Sequence, residues 1–223
     1  MDMSKTIHVV QIPCGDQGPT VFMLDLVRPV DTRICRMFEA SCSADRRAKA
    51  ARYHGVDDRI RCLAAGWLVR YAAEQVLGMS GIHESHKPGG CPFLPQAPGI
   101  FLSISHSGSW VVCALHLTGQ VGNDVEQMPS ITPGMAELFM SPKELSAFQQ
   151  CTEEMERSSF FLRYWCLKES WLKAVGTGLL REPSSVSILP QDAIMSVQYN
   201  KIEFWHIHEQ WLNDSTLLTV CWK

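Results

Sequence analysis

The segment Phe160–Leu180, FFLRYWCLKESWLKAVGTGLL, constrains the fold of this chain more than any other stretch. Its apolar side chains recur every three or four residues, which predicts a long helix, and Gly176 is placed to end it. On the helical wheel Glu169 lies opposite the main apolar stripe, and Lys173 follows one turn later. An acid and a base at this spacing form either a solvated ion pair or part of a charged site. The helix alone leaves both interpretations open.

A second segment, QVGNDVEQM, is typical of a strand end and supplies two further carboxylates. Asp124 and Glu126 are two residues apart, so on a strand they point to the same side. Together with Glu169 they would form a three-carboxylate site, a ligand set that suits a hard cation such as Mg²⁺. Lys168 and Lys173 beside such a site favour an anionic substrate, most simply a phosphate.

The composition narrows the class of protein. The 223 residues are 46% hydrophobic with a formal net charge of -3, which allows one large domain or two small ones and argues against broad nucleic-acid binding. No apolar run approaches the roughly 18 residues of a membrane span, and the N-terminus lacks a signal-peptide pattern. Nine scattered cysteines without a C-x-x-C pair argue against a disulfide framework or a zinc site. A cytoplasmic protein with reduced thiols is expected.

The first half of the chain is predicted to hold two strands, two short capped helices and one long helix. The segment Val56–Leu77 has a helical apolar stripe and is followed by Gly78, a common helix end. A shorter helix, capped by Ser43, carries Arg46 and Lys49 with other basic residues. A basic helix is either a solvated face or a phosphate-binding surface.

Two further patterns carry polar residues of interest. In IFLSISHSGSWVVCALHL, two apolar strands flank a predicted tight turn from Ser105 to Gly108, which places His106 in the turn. A histidine there is either a local hydrogen-bonding residue or a ligand-binding one. Further on, Ser141 and Glu144 match a helix capping box, which gives Glu144 a structural explanation. The last quarter of the chain is predicted to form antiparallel strands.

The order of elements is similar in the two halves of the chain. Each half combines strands with a long helix that has a tryptophan near its middle. This similarity indicates a duplication and predicts two halves, residues 1–118 and 119–223.

Taken together, these motifs resemble the 4′-phosphopantetheinyl transferase superfamily, in its larger pseudo-dimeric type that activates the carrier proteins of nonribosomal peptide and polyketide synthases. The last two of its four landmarks are highly specific when they occur together and in this order. In chain order the landmarks are HKP at His86–Pro88, SISHS at Ser103–Ser107, GNDVE at Gly122–Glu126 and WCLKESWLKAVGTGL at Trp165–Leu179.

The resemblance implies an α+β fold of two similar α/β halves related by a pseudo-twofold axis. Each half would be a long helix packed on a small antiparallel sheet, with coenzyme A in the cleft between the halves. The first half would supply most nucleotide contacts, and the second would bind the metal and carry out catalysis. Because one chain contains both halves, a monomer is expected.

The resemblance also implies the reaction. The enzyme would transfer the 4′-phosphopantetheine arm of coenzyme A to a serine of an apo acyl or peptidyl carrier protein, giving the holo-carrier and adenosine 3′,5′-bisphosphate. The transfer would depend on Mg²⁺, with Mn²⁺ as an alternative. Nothing in the sequence distinguishes fatty-acid, polyketide and peptide carriers.

By the same resemblance, Asp124, Glu126 and Glu169 would hold the metal. Lys173 would contact the transferred phosphate and stabilise the charge on the leaving group. Glu169 is also the candidate base for the carrier serine, directly or through water. Lys168 is grouped with the coenzyme A-binding residues and would fix a carboxylate.

The resemblance implies that the nucleotide contacts come from the first half of the chain. His106 would bind the 3′-phosphate of coenzyme A, and backbone groups at Ser105 would read the adenine region. Glu144 matches a family acid near the metal, which competes with its capping role. Further phosphate partners would be Arg46, Lys49, Arg61 and Lys87.

Two alternatives remain beside the transferase. A Mg²⁺-dependent phosphohydrolase could use the same carboxylates, but it would not need the basic helix and His106. A coenzyme A-binding regulator could keep the fold without catalysis, but every acidic and basic position of the motifs is occupied here.

Overall fold

The computed structural model describes residues 7–26, 30–177 and 181–223. The chain divides into two compact units, Met1–Gly119 and Gln120–Lys223. In each unit a long helix packs on an antiparallel sheet, so the predicted α+β class is confirmed. The pseudo-twofold relation and the role assigned to each half stay predictions.

The first unit is built on a four-stranded sheet with the strand order β1-β2-β6-β5, in which all neighbours are antiparallel. Helix α3 packs on β6, and its apolar side chains form one core with those of the sheet. In chain order the elements are β1 (Val9–Ile12), β2 (Thr20–Asp25), α1 (Thr32–Ser41), α2 (Ala44–Ala51), α3 (Val56–Leu77), β3 (Ser85–His86), β4 (Pro92–Phe93), β5 (Phe101–Ser107) and β6 (Trp110–His116).

Local capping explains where the helices of this unit begin and end. The side chain of Ser43 accepts a hydrogen bond from the Arg46 N–H at the start of α2. Helix α3 ends at Gly78, whose φ of 64° is left-handed and therefore suits glycine. Both helix ends follow rules that involve only neighbouring residues, which is why the sequence predicts them.

The hairpin that carries His106 differs from the prediction. Strand β5 continues to Ser107, which pairs with Trp110, so His106 lies within the strand and opposite Val111. The turn is therefore only the two residues between the strands, and Gly108 supplies its left-handed φ of 58°. The predicted turn began too early because strand pairing with β6 extends past the point where the apolar pattern stops.

The second unit is built on a five-stranded antiparallel sheet with the strand order β7-β11-β10-β9-β8. Helix α6 packs on β7 and β11. In chain order the elements are β7 (Val121–Gln127), α4 (Met135–Phe139), α5 (Pro142–Phe148), α6 (Glu154–Ala174), a short 3₁₀ helix (Pro183–Ser185), β8 (Ser187–Gln191), β9 (Ile194–Gln198), β10 (Ile202–Asn213) and β11 (Thr216–Trp222).

Helix α6 is longer at its start than the apolar pattern predicts. It begins at Glu154 rather than Phe160, and acidic residues in the first turn favour a helix N-terminus. It ends at Ala174, just before Gly176 with a left-handed φ of 74°. The last residues of the predicted segment, 178–180, lie outside the described residues.

Buried side chains surround most of α6. On one side Leu167, Trp171 and Leu172 pack against Trp205 and other residues of the sheet. On another side Phe161 packs with aromatic residues of α4 and α5. Within the described ranges, no helix has both the length and the apolar character needed to cross a membrane. All nine cysteines are free thiols.

Candidate functional site

Strand β7 meets α6 at a position where only glycine fits. A Cβ atom on Gly122 would lie 1.9 Å from the carbonyl oxygen of Ser170, so the strand and the helix are in backbone contact there. Asp124 lies two residues further on and shares the face of Gly122. The close approach brings Asp124 to the turn of α6 that carries Glu169 and Lys173.

A short ion pair joins the strand to the helix. The Nζ atom of Lys173 lies 2.6 Å from Oδ1 of Asp124. The Asp124 residue is 4% exposed, so this charge is almost removed from water. Burial acts to lower the pKa of Lys173, but the carboxylates of Asp124 and Glu169 outweigh it, and the net pKa is raised. Lys173 therefore stays cationic beside these carboxylates.

Glu169 is half-buried one turn before Lys173. Its Oε1 atom is buried and has no hydrogen-bond partner among the described residues. Burial raises the pKa of Glu169, Lys173 opposes this shift, and the carboxylates of Asp124 and Glu126 add to it. A carboxylate in this environment is suited to bind a cation or to accept a proton.

Glu126 completes the acidic set on the same side of β7. It is partly exposed, and its Oε1 atom accepts a hydrogen bond of 2.9 Å from the Gln127 N–H. Within residues 7–26, 30–177 and 181–223, no three His, Cys, Asp or Glu side chains are grouped closely enough to hold a metal ion as they stand. The Lys173 ammonium is instead in contact with Asp124. The donors are nevertheless carboxylates that raise the pKa of Glu169 through their charge, and this chemistry fits a hard divalent cation.

Lys168, on the same helix, has a different environment. Its side chain is fully buried, and its Nζ atom lies 2.6 Å from Oε2 of Glu144. The same ammonium donates to the carbonyl oxygens of Phe139 and Pro183, each at 2.9 Å. These three contacts use its full donor capacity. Lys168 thus fixes a carboxylate, as the resemblance implied, and its grouping with the coenzyme A-binding residues stays a prediction.

Glu144 has structural partners on both oxygens. It closes the capping box of α5 by accepting the Ser141 N–H at 2.8 Å, and it accepts the Ile188 N–H at 2.7 Å. With Lys168 as its counterion, this carboxylate links α5, α6 and β8. Of the two explanations that the sequence left open for Glu144, the structure supports the helix cap.

In the first unit, α2 carries two of the predicted phosphate partners. Arg46 is 5% exposed, and its Nε atom donates to Oε1 of Glu84 at 2.5 Å. Its Nη2 atom is buried without a hydrogen-bond partner among the described residues. Lys49 is exposed one turn later. Burial and then the charges of Arg46 and Lys49 lower the pKa of His86, against a smaller opposing effect of Glu84 and Asp45, so these basic groups lie near one another.

Arg61 is attached to the hairpin that carries His106. Its Nη1 atom donates to the Gly108 carbonyl oxygen at 2.7 Å, and Nη2 pairs with Asp58. His106 is half-buried on β5, and the neighbouring Ser105 is buried. Arg61 is therefore held by Gly108, which follows His106 by two residues in the same hairpin.

Lys87 lies in the segment between β3 and β4. Its Nζ atom is 5.9 Å from the ring centre of Phe93. This contact places the ammonium near an aromatic face.

Sequence reasoning missed some residues that shape these sites. In the second unit this is the buried hydroxyl of Thr219, and in the first unit it is Glu84. Gly122, Cys166 and His86 were part of the landmarks, but the sequence assigned them no role in these sites. In the strand TLLTVCW, side chains two residues apart lie on the same face, so the sequence places Thr219 on the face of Leu217 and Cys221. The pattern does not show which strand pairs with this one.

Comparisons with known proteins find similar chains. The family model of the 4′-phosphopantetheinyl transferase superfamily matches residues 120–221. A 4′-phosphopantetheinyl transferase of Bacillus subtilis is 34% identical over 162 residues, which cover 71% of each chain. The 4′-phosphopantetheinyl transferase Sfp of Bacillus subtilis (strain 168) is 30% identical over 181 residues, which cover 80% of each chain. The crystal structure of holo-[acyl-carrier-protein] synthase from Thermotoga maritima aligns at 22% identity with a TM-score of 0.38, over 47% of this chain and 62% of that chain.

The charged cluster between a strand and a helix, together with these relatives, indicates a group-transfer enzyme. The chain belongs to the 4′-phosphopantetheinyl transferase superfamily, and it is of the type that includes Sfp. Its general reaction is the transfer of 4′-phosphopantetheine. Membership of this superfamily favours the transferase over the two alternatives, a phosphohydrolase and a coenzyme A-binding regulator without catalysis.

Proposed function

We propose that this enzyme transfers 4′-phosphopantetheine from coenzyme A to a serine of an apo acyl or peptidyl carrier protein, in a reaction that depends on Mg²⁺. The observation that carries the proposal is the contact between Lys173 and Asp124, with Glu169 one turn earlier on the same helix. This arrangement brings together carboxylates that can bind a metal cation and a lysine ammonium that can bind a phosphate. It also includes the Glu169 carboxyl group, whose pKa is raised.

The proposed step exchanges one phosphorus–oxygen bond for another. The serine hydroxyl oxygen attacks the phosphorus that carries pantetheine, and the bond from that phosphorus to the bridging oxygen of the pyrophosphate breaks. The bridging oxygen leaves with adenosine 3′,5′-bisphosphate, and the serine proton passes to a base. The products are the holo-carrier and adenosine 3′,5′-bisphosphate.

Asp124, Glu126 and Glu169 are the residues that would hold the metal. Bound Mg²⁺ would neutralise negative charge on the pyrophosphate oxygens, and Mn²⁺ is the alternative ion. Carboxylate oxygens are the usual ligands of both the hard ions in question. The half-buried carboxylate of Glu169, with an unpartnered oxygen, is the member of the set whose environment most favours a bound cation.

Two side chains of α6 act on the reacting groups. Lys173, which stays charged because carboxylates raise its pKa, stabilises the negative charge on the transferred phosphate and on the leaving group. Glu169 accepts the proton of the carrier serine, directly or through water. Burial raises the pKa of Glu169 in the metal-free protein, whereas a bound cation would lower it.

The first unit supplies the nucleotide contacts. His106 binds the 3′-phosphate, and backbone groups at Ser105 contact the adenine region. The free donor on the buried Arg46 guanidinium and the exposed position of Lys49 support a phosphate role for α2. The remaining phosphate partners are Arg61 and Lys87.

We also infer a monomer in a reducing compartment, the cytoplasm. A monomer is inferred because a single chain holds both the proposed nucleotide-binding residues and the proposed metal-binding residues. A reducing compartment is inferred because all nine cysteines are free thiols.

The test is intact-protein mass spectrometry of apo carriers of the fatty-acid, polyketide and peptide types. Each carrier is incubated with the enzyme, coenzyme A and Mg²⁺, and in parallel with EDTA. A gain of one phosphopantetheine mass that disappears with EDTA is the expected result. Asp124→Asn should abolish the gain, whereas Asp214→Asn, an exposed aspartate of the same unit, should retain it.

Two outcomes would contradict the proposal. A full mass gain in EDTA, or in Asp124→Asn, would remove the metal from the reaction. No gain on any carrier, with coenzyme A still bound, would support a regulator instead.

A further inference from the structure

Thr219 is a buried polar residue on β11. The residue is 0% exposed, and its Oγ1 atom has no hydrogen-bond partner among the described residues. A buried unpaired hydroxyl lowers stability by about 1–3 kcal/mol. A hydroxyl at this position is therefore not explained by folding.

Strand register places this hydroxyl beside Asp124. In the antiparallel pair of β11 and β7, Thr219 lies directly opposite Asp124. Side chains at directly opposite positions share one face of the sheet, with Cβ atoms about 4.5–5.5 Å apart. On its other side Thr219 is opposite Glu209 of β10. The hydroxyl thus stands between two carboxylates in one row of the sheet.

The carboxylates of Glu209 and Asp124 differ in their ion-pair partners. Glu209 accepts two hydrogen bonds from Arg163, at 2.9 and 2.8 Å, one to each oxygen. Asp124 is the acid whose ion-pair partner, Lys173, has the proposed second task of contacting phosphate. The hydroxyl is therefore most useful to Asp124, which needs an orienting donor that does not leave for the substrate.

Helix α6 adds a second neutral group on the same side. Cys166 is fully buried and near Asp124, whose charge helps to raise the pKa of its thiol, and its Sγ atom lies 3.9 Å from the Leu217 carbonyl oxygen. Small uncharged donors behind a ligating carboxylate fix its orientation without competing for the cation. Thr219 is of this kind, and Cys166 closes the same side with a neutral group.

We propose that Thr219 is a positioning residue for Asp124, and that its hydroxyl, unpaired among the described residues of the metal-free protein, donates to this carboxylate and orients it when the metal binds. The inference rests on the proposed function, because it takes Asp124 as a metal ligand. Removing such a supporting group typically weakens metal binding by about 10–100-fold. Thr219→Val should therefore weaken Mn²⁺ binding while leaving the melting temperature equal or higher, since it also removes an unpaired buried hydroxyl.

The same strand contains a matched control. Thr216 is also 0% exposed, and its hydroxyl also lacks a partner among the described residues. It lies opposite Gln127 and is three residues from Thr219, so it points to the other face of the sheet. Thr216→Val should leave Mn²⁺ binding unchanged.

The experiment measures free Mn²⁺ by electron paramagnetic resonance during titration of the full-length protein with saturating coenzyme A. A titration of coenzyme A alone is subtracted. The proteins compared are the parent, Thr219→Val, Thr219→Ser and Thr216→Val, and each is also melted without metal. We expect weaker binding only in Thr219→Val, with recovery in Thr219→Ser because serine retains the hydroxyl.

Each other outcome has a definite meaning. Equal Mn²⁺ affinity in the parent and in Thr219→Val overturns the role of Thr219 and leaves the proposed function intact. No Mn²⁺ binding by the parent overturns the metal assignment and this inference with it. If Thr219→Val does not fold, Thr219→Ala against Thr219→Ser makes the same comparison, and equal affinity in that pair overturns the role.

Discussion

The Nζ atom of Lys173 lies 2.6 Å from Oδ1 of Asp124, which joins the last turn of α6 to the middle of β7. The two residues are 49 positions apart in the sequence. Their contact depends on Gly122, which lets the strand reach the helix backbone. Through this ion pair, Glu169 and Lys173 of the helix lie next to the carboxylates of the strand. A substitution in either element is therefore expected to change the electrostatics of the same site.

Glu169→Gln should stabilise the protein in EDTA at neutral pH. Burial raises the pKa of Glu169 in the folded state, so the folded protein binds this proton more tightly than the unfolded chain. The resulting stability is present below the ordinary pKa of a glutamate, about 4.3, and is lost as the pH rises through the raised pKa. Thermal melting between about pH 4 and pH 8 should show an advantage of the variant that grows with pH.

The control for this pH effect is Glu203→Gln. Hydrogen bonding from Lys201 lowers the pKa of Glu203, which is the opposite shift. Its ionised form therefore favours folding at neutral pH, and the variant should gain nothing there. An equal gain in both variants would show that loss of net negative charge, rather than burial of Glu169, is the cause.

Gly122→Ala should lower the free energy of unfolding by about 1–3 kcal/mol and weaken Mn²⁺ binding as well. The added Cβ would meet the Ser170 carbonyl oxygen, a backbone atom that can move only if β7 and α6 separate. Separation would draw Asp124 away from Lys173. Urea denaturation and Mn²⁺ titration measure the two effects.

Gly66→Ala is the comparison for that variant. A Cβ there would meet side-chain atoms, the Cys42 Sγ at 2.7 Å and the Arg46 Cγ at 3.1 Å, which can shift more easily than backbone. It should cost less stability and leave Mn²⁺ binding unchanged. A Gly122→Ala protein with parental stability and metal affinity would show that the strand and the helix need not touch.

His106→Ala should weaken coenzyme A binding by about 10–100-fold, which is the usual range for a lost hydrogen bond to a charged group. The effect should vanish with 3′-dephospho-coenzyme A, because that ligand lacks the phosphate that His106 is proposed to bind. Isothermal titration calorimetry with both ligands measures this difference. His54→Ala, an exposed histidine of the same unit, is the control. Equal weakening toward both ligands would assign His106 to another part of the nucleotide.

Lys168→Met should lower the free energy of unfolding by about 3–5 kcal/mol, because it leaves the buried Glu144 carboxylate without its counterion. Lys201→Met, at a lysine whose side chain is 77% exposed, should change it by less than about 1 kcal/mol. Urea denaturation measures both. If Lys168 instead contacted coenzyme A, its variant would lose ligand affinity with little loss of stability.

Part of the fold and site could be predicted because it depends on neighbouring residues. The bounds of Val56–Leu77 and the capping box at Ser141 follow from helical spacing and from local hydrogen bonds. The same period rules placed Asp124 and Glu126 on one face of a strand, and Glu169 and Lys173 within one turn of a helix. Such rules predict which side chains share a face of one element. The family motifs then indicated the reaction and the role of each residue.

The limits of that prediction appear where two elements meet. His106 was placed in a turn, because an apolar pattern does not show how far two strands stay paired. Lys168 and Lys173 belong to one helix, but one ammonium is fully buried against Glu144 and the other contacts Asp124. Which acid each lysine meets depends on the packing of α6.

The sequence by itself determined the two long helices apart from the start of α6, the strand that carries the acids, the spacing of the charged residues and the family. Only the tertiary structure decided their partners: Lys173 with Asp124, Arg46 with Glu84, and Thr219 opposite Asp124. The physical reason is that spacing along the chain fixes direction within one element, whereas a partner is chosen by close packing and by loss of water between elements far apart in sequence.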